Sequence, residues 1–305
     1  MVMCFSIFYA AFLKIIELYV GIDNSFHVDA NNYIHVYSKE PTYVFNFTYP
    51  VVVYYLGEWV SICLNILLYS QTNTWLVKWL RSVRPFRWNS LFGILVGIYI
   101  FAPYRAHLAI HVLKDTIVIW FVAMCFFRNK IAVSFFGVVW FRLIAFIYYI
   151  PKMTWGTIVV LLIVTPFFFF DHFITLSNGG NEAMVFHDYD MVAAMKSYGL
   201  FGDFLRALIW PIMFLSGSYI LVSPTWWFFP LAVHSFALTL MILFYSRSYS
   251  MNVFFKAYFV LSILSLLAPG FTTCYRYAVP VLYIIFLYGF KAHSYNGVKS
   301  KHVYA

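Results

Sequence analysis

Charge is the scarcest property of this 305-residue chain: only 10% of its residues are charged, whereas 63% are hydrophobic. A soluble domain carries about 25% charged residues, so the composition excludes an ordinary water-exposed surface. Acidic residues are especially few, with 11 against 20 lysines and arginines. In a soluble protein that excess would suggest nucleic acid. Here the basic residues concentrate in short loops between apolar runs, as the positive-inside rule requires, and nucleic acid is not an expected partner.

Cysteine is also scarce, and its four residues are scattered: Cys4, Cys63, Cys125 and Cys274. None of them forms a CxxC pair, so the pattern predicts neither a disulfide framework nor a thiolate metal site. The first twenty residues lack a basic segment and a small-residue cleavage site. They therefore predict a retained first helix and not a removed signal peptide.

Long apolar runs are what the chain has in abundance, most of them close to the roughly 20 residues that a spanning helix needs. The predicted spans are residues 3–20, 48–70, 89–104, 108–127, 131–150, 155–170, 207–222, 224–245, 253–269 and 276–290. The predicted fold class is all-α. We expect a polytopic transmembrane helical bundle of about ten spans, with a range of eight to eleven, that forms a single integral-membrane domain over residues 1–305.

The basic residues predict how this bundle is oriented across the membrane. They cluster in residues 71–89 and 128–130 and in the C-terminal tail. Placing these three segments inside predicts that both termini are cytoplasmic and that residues 103–115 lie outside.

The longest polar stretch, residues 171–206, fits this scheme least well. The count of spans places it inside, but only Lys196 and Arg206 support that side, since acidic residues contribute little to orientation. Its Met191, Met195 and Tyr198 recur at helical spacing, which indicates an interfacial amphipathic helix.

A cluster of ionisable residues interrupts the apolar pattern at the predicted outer face: Arg105, His107, His111, Lys114 and Asp115. Charges in or near hydrocarbon are costly, so such a cluster indicates a functional site. Its cations are suited to binding a diphosphate, and its imidazoles to accepting a proton. The structural alternative is a belt of snorkelling side chains that ends two helices. The His-x-x-x-His spacing lacks the glutamate of HExxH and a nearby third ligand, so we predict no metal and no cofactor.

Acidic residues in the first predicted outer loop, Asp29 ahead of Asp23, are further candidates for a general base or for binding a divalent ion. The alternative is a solvated loop, because Asp and Asn favour turns.

Other charged residues fall within or at the ends of predicted spans. Arg142 lies mid-span and is expected to face the interior, either in an ion pair or in a water-filled cavity. Arg276 lies at the outer mouth of the last span, where it either anchors the helix or joins Arg105 and Lys114 around a phosphate. Lys14 and Glu17, three residues apart on the first helix, are expected to neutralise each other.

Three segments together resemble bacterial surface-polysaccharide polymerases of the Wzy type, including their EpsG-like branch. They are Asp29–Tyr33, the stretch from Pro103 to Asp115, and Arg276–Pro280. The resemblance implies a multi-pass glycosyltransferase of the bacterial inner membrane that joins undecaprenyl-diphosphate-linked repeat units into O-antigen, capsule or exopolysaccharide. It also implies that Arg105 and Arg276 hold the lipid-linked diphosphates, and that a chain-length regulator is a partner. The chain is short for this family, and its long 171–206 segment is counted as inside.

The expected reaction is a metal-independent transfer in which Arg105, Lys114 and Arg276, with Arg142, neutralise the diphosphate leaving group. His111 is the favoured proton acceptor, ahead of the other candidates His107, Asp115 and Asp29.

Two other functions compete with this one. Membrane glycosyltransferases of the GT-C type also place acidic residues in the first outer loop, but they usually have an Asp-Glu or Asp-x-Asp pair there, which this chain lacks. A flippase or transporter is expected to show prolines that break helices at matching places in two halves, and the prolines here do not match.

Overall fold

The computed structural model describes residues 1–22, 30, 33–34, 48–160, 198–221, 228–267 and 271–291. Across these ranges the chain is helical and forms no extended strand, which confirms the predicted all-α class. Four of the described segments are long and apolar enough to cross a membrane: Val2–Val20, Tyr49–Val83, Leu91–Ile110 and Gly199–Ser216. The helix lengths and the composition together are those of a membrane protein.

The first half of the chain forms helices of unequal length. They are α1 (Val2–Val20), α2 (Thr48–Val83), α3 (Leu91–Ile100), α4 (Pro103–Ile110), α5 (Asp115–Arg128) and α6 (Ile131–Phe141). A 3₁₀ helix, Leu143–Lys152, follows α6. The short helix α4 packs against both α1 and α2, and α2 also packs against α5. Helix α4 is therefore an interior element, and its residues Arg105 to Ile110 are all buried.

The second half adds a further set of helices. They are α7 (Gly199–Ser216), α8 (Phe228–Phe244), α9 (Met251–Leu267), α10 (Phe271–Pro280) and α11 (Phe286–Tyr288). A buried π-helical turn, Val281–Ile285, joins α10 to α11. Pro280 precedes this turn and has no N–H to donate to the preceding turn of helix, which favours a local change of helical pitch. Helix α8 packs against α3 and joins the two halves.

Helix α1 buries polar residues and exposes apolar ones, which is the reverse of a helix on the surface of a soluble protein. Its buried residues are Ser6, Ala10, Lys14 and Glu17, which recur at helical spacing and define one face. Its exposed residues include Phe8, Ile15 and Tyr19. Polar groups inside and large apolar groups outside are expected where lipid replaces water around a bundle, because intramembrane polar residues face the interior.

Helix α2 extends well past the predicted span 48–70. It continues to Val83, with a kink at Gly57, whose φ of 73° suits a residue without a side chain. The basic residues that were expected in a loop lie on or just after this extension. The guanidinium of Arg84 lies 4.0 Å from the centre of the Tyr245 ring, and that of Arg81 lies 5.5 Å from Phe86. These cation–π contacts hold the basic end of α2 against neighbouring aromatic residues.

Two predicted spans are interrupted at ionisable residues. The span 131–150 breaks at Arg142, whose φ of −155° and ψ of 100° are extended. The span 108–127 becomes α5 only from Asp115, because α4 ends at Ile110 and His111 is also extended. Both breaks place a buried ionisable side chain at a point where the backbone changes direction.

Some predictions fall on residues that the structure does not describe. The span 155–170 is described only to residue 160, and the segment 171–206 only from residue 198. Residues 199–206 belong to α7 and are thus helical, whereas Met191 and Met195 of the predicted interfacial helix lie outside the described ranges.

Candidate functional site

The site lies around residues 111–114, a non-helical segment between α4 and α5 that we call the break. Asn65 of α2 holds this break from the side, because its amide Nδ2 lies 3.0 Å from the carbonyl oxygens of both His111 and Leu113. The same amide also lies 3.0 Å from the hydroxyl of Tyr49. Backbone carbonyls that leave a helix inside a bundle need such donors, since no water is present to supply them. The ionisable residues around the break engage different groups.

His107 and His111 both contact Glu17, at the end of α1. His107 Nδ1 lies 2.6 Å from Glu17 Oε1, and His111 Nε2 lies 2.8 Å from Glu17 Oε2. The two imidazole rings are 4.5 Å apart between centroids, and all three residues are buried. A carboxylate in this position fixes the orientation of both imidazole rings, as a proton-accepting group requires.

Asp115 lies between two arginines from distant helices. Its Oδ1 is 2.9 Å from Arg142 Nη1, and its Oδ2 accepts hydrogen bonds from Arg276 Nε at 2.8 Å and Nη2 at 2.5 Å. Asp115 is 2% exposed, whereas the Arg276 side chain is 19% exposed. Arg142 also lies 4.7 Å from the centre of the Tyr277 ring. The first turn of α5 favours an acidic residue, because the helix dipole is positive there.

Arg105 has a different environment from the other arginines of the site. Its guanidinium carbon lies 4.7 Å from the centre of the Tyr283 ring and 5.2 Å from that of Tyr69. Arg105 is 2% exposed, and none of its three guanidinium nitrogens has a hydrogen-bond partner in the described structure. The rings of Tyr99 and Tyr283 stack on His234 beside it, with centroids 4.5 Å and 4.1 Å away.

This aromatic cluster also has unused polar atoms. The hydroxyls of Tyr99 and Tyr283 and the Nε2 atom of His234 are buried and lack hydrogen-bond partners in the part of the chain that the structure describes. Buried polar atoms are normally paired, so a group of unpaired ones beside a guanidinium indicates a place for a polar ligand.

The structure thus gives the predicted site residues different contacts. Arg142 and Arg276 meet at Asp115, while Arg105 lies against tyrosines. Lys114 is half-buried beside Asp115, and the two interact electrostatically. Asp29 and Asp23 lie outside the described residues.

Glu17 is the functional residue that sequence reasoning missed. The sequence predicts that Glu17 neutralises Lys14; in the structure its carboxylate oxygens contact His107 and His111, which are 90 and 94 positions away. With them it forms a group of three that can hold a metal ion: one ligand atom from each residue lies within 4.8 Å of the others. It supplies the third ligand that the local sequence around His107 lacks.

Scans of the chain against protein-family models, curated proteins and solved structures gave no match.

Proposed function

We propose that this chain is a multi-pass glycosyltransferase of the bacterial inner membrane that polymerises undecaprenyl-diphosphate-linked oligosaccharide repeat units into a surface polysaccharide. In this proposal the chain has about ten spans, both termini are cytoplasmic, and the 111–114 break faces the periplasm. The nature of the substrate rests on the resemblance of the three sequence segments. The need for an anionic ligand rests on the structure.

Arg105 is the observation that carries the proposal. Its guanidinium is buried, and its nitrogens have no hydrogen-bond partner among the described residues. A charge that is buried without a counter-ion costs several kcal/mol, and an arginine cannot relieve that cost by losing its proton. A ligand anion removes the cost, and a diphosphate matches the planar fork of a guanidinium.

Arg276 and Lys114 are the more accessible cations of the site. The side chain of Arg276 is 19% exposed while it holds Asp115, and Lys114 is half-buried next to that carboxylate. Both are thus suited to the first contact with an incoming diphosphate. Arg142 is buried against Asp115 and holds that carboxylate in place. Because Asp115 is held by two arginines, it serves to position them and is a poor proton acceptor.

The proposed reaction joins an acceptor sugar hydroxyl to the anomeric carbon of a lipid-linked donor. The new carbon–oxygen bond forms as the bond from that carbon to the diphosphate breaks, and the lipid diphosphate leaves with the electron pair. Cations that are fixed in advance stabilise the charge that develops on the leaving group. The hydroxyl proton passes to His111, which Glu17 orients, and His107 shares that carboxylate. Asp29 remains a further candidate for this role.

Deletion of the gene, followed by electrophoresis of the surface glycan, tests the proposal. A polymerase deletion leaves a single repeat unit on the lipid anchor. A missing sugar branch would contradict the proposal in favour of a GT-C-type transferase. Accumulation of lipid-linked repeats in the cytoplasm would contradict it in favour of a flippase.

Complementation with variants tests the site. Arg105→Ala, Lys114→Ala and Arg276→Ala are each expected to abolish long chains at an unchanged protein level. Arg105→Lys is expected to restore only part of them, because a lysine lacks the bidentate fork. Lys130→Ala is the matched control, since it removes an exposed cation from a predicted cytoplasmic loop. Normal long chains in all three alanine variants would end the assignment of these residues.

A further inference from the structure

We propose that Glu17, His107 and His111 bind a divalent transition-metal ion of the zinc class. Two imidazole nitrogens and a carboxylate form a common ligand set for such an ion, and catalytic zinc sites use two histidines and a glutamate with the fourth position left open. Imidazole ligands favour zinc, copper, iron or nickel over magnesium, which prefers oxygen.

The backbone around the break brings these ligands to one point. His107 lies on α4, and an uninterrupted helix would carry His111 one turn further along the same face. The helix instead ends at Ile110, and His111 has an extended backbone with φ of −113° and ψ of 163°. This change of direction allows His107 to present Nδ1 and His111 to present Nε2 to the same carboxylate. The cluster thus depends on an irregular backbone in an otherwise helical region.

The distances between the ligand atoms are shorter than those around a bound zinc ion, so the ligand atoms must move slightly apart to bind one. In a tetrahedral zinc site with bonds of about 2.1 Å, neighbouring ligand atoms are about 3.4 Å apart. The nitrogen–oxygen distances here are 2.6 Å and 2.8 Å, which are hydrogen-bond distances. Binding therefore requires the ligand atoms to separate by several tenths of an ångström. Each imidazole also moves its proton from the nitrogen that faces Glu17 to its other ring nitrogen, so that a lone pair faces the metal.

The charges near the three ligands indicate which group would occupy the fourth coordination position of the ion. Lys14 is buried one helical turn before Glu17 and interacts electrostatically with His111. A dication beside this lysine is only partly offset by Glu17, so the fourth position favours an anion: hydroxide or a phosphate oxygen. Any use of the ion in catalysis rests on the proposed function. There, hydroxide held by the ion would take the proton of the acceptor hydroxyl and become water, and His111 would be a ligand in place of a base. This proposal replaces the metal-independent reaction that the sequence suggests.

Metal content of the purified protein tests the site. The full-length chain is purified in detergent without chelator, incubated with Zn²⁺, passed through a desalting column and analysed by elemental mass spectrometry. We expect about one zinc ion per chain in the native protein, as for a site with three protein ligands. Glu17→Gln, His107→Gln and His111→Gln are each expected to lose most of it. His302→Gln, which removes a histidine from the C-terminal tail, is the matched control and is expected to keep it.

A second measurement guards against variants that fail to fold. The native protein, stripped of metal and titrated with Co²⁺, is expected to develop the visible absorption of a low-coordinate cobalt site, and added Zn²⁺ is expected to abolish that absorption. Native protein that binds neither ion, or glutamine variants that bind as much zinc as the control, would overturn the proposal. Both measurements use resting protein without substrate. Failure of metal binding is thus distinguishable from failure of the proposed function, which is judged on the length of the surface glycan.

Discussion

Asp115 is the residue on which the charge balance of the candidate site depends most directly. It is a buried carboxylate that contacts one arginine from the break after α6 and another from α10. In a low-dielectric interior, an ion pair contributes modestly when it is complete, but the loss of one member leaves the other charge without a partner. Here a single carboxylate serves two guanidinium groups, so its loss affects both.

Asp115→Asn is therefore expected to destabilise the protein strongly. Removing one member of a buried ion pair costs about 3–5 kcal/mol. We expect a large drop in the apparent melting temperature of the variant in detergent. The control is Asp203→Asn, because Asp203 is 41% exposed and contacts Arg206 at 3.3 Å. Arg206 is buried but keeps a hydrogen bond to the carbonyl of Leu266, and this change affects one arginine in place of two, so it should cost less than Asp115→Asn. Equal decreases in melting temperature in the two variants would show that Asp115 contributes no more to stability than Asp203 does.

The sequence identifies the ionisable residues of the candidate site, but it does not identify the residues that they contact. Arg105, His107, His111 and Asp115 stand out because charge is rare in this chain. Their partners come from helices that are distant in sequence, and local spacing rules cannot find them. The rule for residues three apart assigns Glu17 to Lys14, whereas packing of α1 against α4 brings it to two histidines. A helical pair is worth only about 0.2–0.5 kcal/mol, so local spacing says little about which tertiary contacts its members make.

At the scale of elements, the break between α4 and α5 is what creates the site. Apolar periodicity predicts that these segments are helical, and they are. It does not predict where they end, because that depends on whether a neighbouring helix can satisfy the freed carbonyls. Asn65 of α2 does so for His111 and Leu113. The kink at Gly57 and the extended residue Arg142 are boundaries of the same type, and the sequence pattern missed both.

Asn65→Leu is expected to loosen this break. The new side chain has a similar size but no donor. The carbonyl of Leu113 therefore loses its hydrogen bond from Asn65, at a cost of about 1–3 kcal/mol, while the carbonyl of His111 keeps the one from the Leu113 N–H. Amide hydrogen exchange should increase at residues 111–114, and the melting temperature should fall. The matched control is Asn73→Leu, also on α2, which removes a hydrogen bond to the Ser6 hydroxyl on α1. This control should leave exchange at the break unchanged. Identical exchange profiles for the two variants would show that Asn65 does not hold the break.

At the scale of the whole molecule, the remaining question is which side of the membrane the break faces. The described helices establish a helical membrane protein, and their lengths alone do not give its orientation. Orientation follows from the lysines and arginines in residues 71–89, in residues 128–130 and in the tail. The extension of α2 to Val83 places some of those residues on a helix, but Arg84 and Arg87 still follow its end. The basic end of α2 therefore still predicts that this end of the helix faces the cytoplasm.

Reporter fusions test this orientation. Truncations after Lys130 and Tyr304 that are fused to green fluorescent protein should fluoresce, because both points are predicted to be cytoplasmic. A truncation at His107 fused to alkaline phosphatase should be active, since that enzyme folds only outside. A fusion at Arg87, at the end of a basic segment, is the internal control and should fluoresce. An inactive phosphatase fusion at His107, together with a fluorescent fusion of green fluorescent protein at the same point, would place the break in the cytoplasm, away from repeat units that are polymerised at the periplasmic face. That result would end the glycosyltransferase proposal and leave the metal site standing, because the three ligands would still meet on whichever side the break faces.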